Sequence, residues 1–206
     1  MLTACSGGGG DGESSSAAPS ASSVSSESAS PDDSSSGSPS SSPSASASGS
    51  YEPATETSPA KNVPVPELPE AAREPTQEGL EATVEYWWET EYYLKATGEV
   101  DPMEEVSTAD CKLCQSLSNR WSEAYELGGW AENEPAEVQV QFTKIDNGGL
   151  GGTGAMLVSE APGQMYMPDG EAAASGDGST NRPWVFSALF DESTGNWRLE
   201  SLGAQG

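Results

Sequence analysis

Cys111-Lys112-Leu113-Cys114 holds the two side chains in this sequence whose type and spacing best suit chemistry. Three chemistries compete for them. A structural disulfide suits a single nearby pair in an oxidising compartment, and a spacing of three at a helix start brings the Cα atoms within bonding range. A redox dithiol uses the same spacing at a helix N-terminus, where the dipole lowers a thiol pKa. That chemistry wants a strand directly before the motif, and 103–109 reads instead as a short helix and turn. Zinc needs four ligands, but the chain has no histidine and only one further cysteine, Cys5. The expectation is the disulfide, pinning a helix start.

Other chemistries fall away with the same residues. Without histidine there is no Ser-His-Asp or Cys-His nucleophile system and no histidine-ligated metal or haem. Gly149-Leu150-Gly151-Gly152-Thr153-Gly154 fits a dinucleotide fingerprint by letter. That fingerprint must open a helix, and Met156-Leu157-Val158 reads as strand, so a hairpin loop is expected here. Asp177-Gly178-Ser179-Thr180-Asn181 begins like a calcium loop, but the twelfth position, which should be a bidentate acid, is Ala188. Glu104-Glu105 and the Glu123/Glu126 pair are expected to be solvated faces. The expectation is no metal, no cofactor and no catalytic residue. With 33 acids against 8 bases and a net charge of -25, nucleic acid is not an expected partner, because phosphate binding needs clustered Lys and Arg.

Cys5 has a different context. Leu2-Thr3-Ala4-Cys5 resembles a bacterial lipobox, whose cysteine thiol takes a diacylglyceryl group and becomes the mature N-terminus. Residues 1–5 then read as the remnant of a lipoprotein signal. A signal needs a charged region and 7–15 apolar residues before cleavage, so the chain is expected to start inside that apolar region. Serine makes up 22 of the first 50 residues, and Tyr51 is the sole aromatic before position 62. Residues 6–61 cannot offset the entropy of ordering and read as a disordered Ser/Gly/Pro tether. It would span about 40 Å on average, and its Ser, Thr and Pro also suit O-glycosylation. The expected setting is the outer face of a cell membrane, anchored through Cys5.

The elements that position the rest lie in 62–206, a length that buries roughly two-thirds of its surface as one domain. Asn62-Val63-Pro64-Val65-Pro66 starts an extended segment, because proline blocks helix, and its apolar residues suggest that it lies along the domain. Thr76 caps a helix that runs from Gln77 to Thr97 and stops at Gly98. Its Leu80, Val84, Trp87, Trp88 and Glu91 or Leu94 recur at helical spacing, with Tyr86, Tyr93 and Thr97 on an adjacent stripe. These aromatics, with Trp121, form a solid core or line a pocket. Asp101-Pro102 opens a short helix. A third runs over 110–127, with Cys111, Cys114, Leu117, Trp121 and Ala124 as its apolar stripe. Val138, Val140 and Phe142 alternate with polar residues, a strand with one wet face. Residues 155–159 and 164–167 read as strands, 169–181 as a mobile loop, and 184–190 with 196–202 as a hairpin. Helices followed by a meander of four or five strands is an α+β layering.

These motifs in this order, with Tyr86-Trp87, the cysteine pair and Gly128-Gly129-Trp130, look like an uncharacterised family of actinobacterial lipoproteins with a C-terminal domain of unknown function. The helix-then-sheet order is similar to the NTF2-like (SnoaL-like) fold. That resemblance implies N-terminal helices packed on a curved antiparallel sheet, a cone with a pocket. Some such proteins are enzymes, but none of their catalytic motifs matches here. The expected function is therefore non-enzymatic: a tethered domain that binds a small apolar ligand beside Trp87, Trp88, Tyr93 and Trp121, or another envelope protein. The alternative is an extracytoplasmic enzyme, either a thiol oxidoreductase through Cys111 and Cys114 or a small-molecule enzyme in the cone.

Overall fold

The structure, a computed structural model, describes residues 49–146 and 148–205. Cys5, the signal remnant over 1–5 and the tether up to residue 48 lie outside the described residues. The last part of the expected tether is not a free linker. Glu52 pairs with Lys61 and Thr55 with Ser58 in antiparallel bridges, closed by a Lys61–Glu52 ion pair of 3.0 Å. This small hairpin is held to the domain. The Tyr51 and Tyr92 hydroxyls lie 2.7 Å apart, and the Trp130 indole donates to the Thr55 carbonyl at 2.8 Å. Composition misses this because two aromatic polar tips and one ion pair are enough to seat it. The proline segment follows in extended form. Tyr86 donates to the Pro66 carbonyl, and Val63 and Leu68 are half-buried while Val65 is exposed.

Helix α1 spans Gln77–Thr97. The Thr76 side chain accepts from the Gly79 amide, and Gly98 closes the helix in the left-handed region at φ 78°. Helix α2 is Asp101–Glu105, with Pro102 in its first turn. Helix α3 is Lys112–Glu126. Seven strands follow: β1 Trp130–Glu132, β2 Glu137–Ile145, β3 Gly151–Glu160, β4 Gly163–Tyr166, β5 Ala172–Gly176, β6 Ser179–Asp191 and β7 Asn196–Ala204. They form two antiparallel sheets, one ordered β2-β3-β6-β7 and a smaller one ordered β1-β4-β5. Helix α1 contacts β1 of the small sheet and both β2 and β7 of the large one. This is α+β, as expected, with more strands than the sequence suggests.

Three sequence expectations need correction. The segment 169–181 is not simply a loop: Ala172–Gly176 pairs with β4, and Ser179 already starts β6. Its Gly, Ala and Ser carry little strand propensity, but sheet pairing satisfies the backbone without them. In β2 the alternation of Val138, Val140 and Phe142 breaks at a bulge, where the pairing skips Gln141. One extra residue flips every later side chain to the other face. Phe142 is therefore 58% exposed, while Thr143 is buried and donates to Glu81 Oε1 at 2.6 Å. Finally, the glycine-rich run is only partly a hairpin loop. Gly151 and Gly152 begin β3, and a Cβ at Gly152 would stand 2.5 Å from the Leu80 side chain. The missing side chain lets α1 settle on the sheet.

The core lies between α1 and the large sheet. Leu80, Val84, Trp87, Leu94, Val158, Trp197 and Leu199 have no exposed surface. Two buried indoles find partners: Trp87 donates to Ser107 Oγ at 3.1 Å and Trp197 to the Glu74 carbonyl at 2.9 Å, while the Trp88 and Trp184 indole nitrogens have none among the described residues.

Candidate functional site

Cys111 precedes the first turn of α3, and its Sγ accepts from the Cys114 amide. The two residues are joined as a disulfide with Cα atoms 5.3 Å apart. Both belong to the core, Cys111 fully buried and Cys114 2% exposed. The segment before them is α2 and a turn, tied to β7 by the Thr108 amide donating to the Leu199 carbonyl. Thiol exchange requires that an incoming thiolate reach a sulfur, and neither sulfur here faces solvent. The pair thus has the setting of a staple.

The more open site lies further along α1. A cavity of about 350 Å³ sits between the second half of α1, α3, the segment after β1, strands β4 and β5, and the start of β6. Glu91 and Lys95 reach it from one helical face, four residues apart. Lys95 Nζ lies 2.5 Å from Glu91 Oε1 and 3.5 Å from a Glu160 carboxylate oxygen. Glu91 is 5% exposed. Burial raises its pKa, with the Lys95 ammonium opposing the shift.

Two arginines share the lining. The Arg120 guanidinium lies 5.6 Å from the Trp121 ring centre, and that of Arg182 lies 5.9 Å from the Trp184 ring centre. Asn133 and Ser179 also line the cavity. Their Nδ2 and Oγ atoms are buried with no hydrogen-bond partner among the described residues. Glu104, Glu105, Glu123 and Glu126 are exposed.

The four aromatics named from sequence separate. Trp121 lines the cavity. Trp87 and Trp88 are core, packed edge to face at 5.2 Å, and Trp88 meets Trp184 in the same way at 5.2 Å. Tyr93 is half-buried and does not line the cavity, and burial raises its pKa. The cavity wall thus mixes charged and polar groups with apolar ones, and Trp121 is its one aromatic among the described residues.

The model of a family of unknown function, DUF6318, matches residues 49–203. The chain belongs to that family. The matched span opens with the hairpin rather than at residue 62, in line with the seating of that hairpin on the domain. No curated protein matches the sequence. Among solved structures, the DUF6318 domain resembles the intermembrane-space region of the chloroplast protein ARC6. The TM-score is 0.51 at 12% identity, over 64% of this chain and 97% of that one. A protein of unknown function with a cystatin-like fold from Methylobium petroleophilum PM1 also matches at 10% identity, over 63% of this chain and 76% of that one, with a TM-score of 0.30. The first likeness is one of fold.

Sequence reasoning missed Glu91, Lys95, Arg120, Glu160 and Arg182 as one group. They come from four separate places in the chain, α1, α3, the end of β3 and β6, and form no motif. Their signal is scarcity: three of the eight basic residues line one cavity of the DUF6318 domain.

Proposed function

We propose that this DUF6318 protein is a non-enzymatic binding lipoprotein, held at the outer face of the cell membrane by a lipid on Cys5. The domain would stand off the membrane on its Ser/Pro tether, with the cavity beside Glu91 and Lys95 as its ligand site. One observation carries the binding reading: an open cavity of metabolite size, about 350 Å³, lined by charged side chains from α1, α3 and β6. The lipobox-like Leu2-Thr3-Ala4-Cys5 supports the anchor.

Two measurements test this. Intact mass of the protein from membranes should show a diacylglyceryl adduct at Cys5, and an unmodified soluble chain would refute the anchor. Native mass spectrometry should show a small molecule held by the wild type and lost on Ala174→Trp, which fills the cavity. A chain that carries nothing under any growth condition would refute the binding site.

A second reading, a small-molecule enzyme in the same cavity, draws on Glu91: a buried carboxylate with a raised pKa suits acid–base chemistry. It predicts turnover of the bound molecule that Glu91→Gln abolishes while binding persists.

A further inference from the structure

We infer that the cavity takes a small organic anion, held between the guanidiniums of Arg120 and Arg182. This rests on the binding reading above and gives it a ligand class. The chain carries 33 acids and 8 bases, so bases are rare on any of its surfaces. Three of them nonetheless meet at this one cavity. Lys95 is already taken, bonded to Glu91 and within reach of Glu160. Among the described residues, neither Arg120 nor Arg182 has a carboxylate within the 4 Å of an ion pair. Each instead lies against an indole face, Trp121 or Trp184. Stacking on an aromatic ring restrains the planar fork and leaves its N–H groups free for a carboxylate or similar oxyanion.

The two guanidiniums lack an acceptor among the described residues, and an oxyanion would supply one through charge-assisted bonds. The charge of the ligand is bounded as well. Glu132, Glu134, Asp177 and the Glu91/Glu160 pair also line the cavity, so a polyphosphate would meet more repulsion than attraction. A volume near 350 Å³, at the small end of the roughly 300–1,000 Å³ of ligand pockets, fits a metabolite-sized monoanion.

Two fluorescent dyes of nearly the same shape test this on the full chain. One is 8-anilinonaphthalene-1-sulfonate, an anion; the other is N-phenyl-1-naphthylamine, which is neutral. Arg120→Gln and Arg182→Gln, on exposed side chains, should each weaken the sulfonate about tenfold, the value of one charge-assisted bond, and leave the neutral dye unchanged. If both dyes bind alike and ignore both substitutions, the anion inference is overturned and the cavity remains a site for other molecules. If neither dye binds, or if both persist on Ala174→Trp, the binding reading itself fails.

Discussion

The first half of α1, from Leu80 to Trp87, presses on the large sheet closely enough to need a glycine beneath it. The second half still buries Leu94, but its Glu91 and Lys95 stand beside a cavity of about 350 Å³. The same helix is all core at one end and part wall at the other. The sheet decides which, with Gly152 below Leu80 and charged or polar groups around Lys95. Apolar contact built to native density stabilises the fold. Charged groups beside a cavity contribute little to it, because a partly solvated ion pair nearly cancels its own desolvation.

That contrast can be broken from either end. Trp87→Ala should be the most damaging change, at about 4 kcal/mol, since it empties the centre of the packed half; urea denaturation will read it. Gly152→Val should cost about 3 kcal/mol by pushing Leu80 off the sheet, seen as a lowered melting temperature. A similar loss from Arg120→Gln would overturn the division between packed and open halves. The double change Cys111→Ala with Cys114→Ala should cost about 2 kcal/mol, the chain-entropy value for so short a loop. Dye binding at the cavity should be unaffected.

A smaller effect concerns pH. Burial raises Glu91 above its ordinary 4.5, so the folded state holds that proton more tightly than the unfolded chain. Its contribution to stability is fully present below pH 4.5 and is lost as pH rises through the folded-state pKa. Glu91→Gln should flatten this decline in a pH series of melting temperatures. Smallest of all, Phe142→Thr should change stability by less than about 0.5 kcal/mol, because the bulge turns that ring to solvent.

The packed half was legible in the sequence and the open half was not. Thr76, Gly98 and the apolar spacing between them define α1 because capping and amphipathicity are local. The turn before Asn196 and the apolar runs around it announce β6 and β7 for the same reason. The bulge at Gln141 left no such mark: it depends on how β2 meets β3, so Phe142 seemed a core residue. Strand β5 was hidden by its composition, and β1, with three residues, by its length. The cavity residues were invisible one at a time. Arg120 and Arg182 come to line one cavity only when α3 and β6 are placed around the same space.

The hairpin over 50–61 also gives the domain a mechanical property. Any pull on the chain ahead of Ser50 enters the fold through the two bridges, the Lys61–Glu52 pair and the contacts of Tyr51 and Thr55. Most of these are exposed, with only the Trp130–Thr55 bond part-buried, so they are expected to open at low force before the core is loaded. Release of the hairpin lengthens the connection by about 40 Å at full extension. The hairpin would then act as a fuse that yields before the core does.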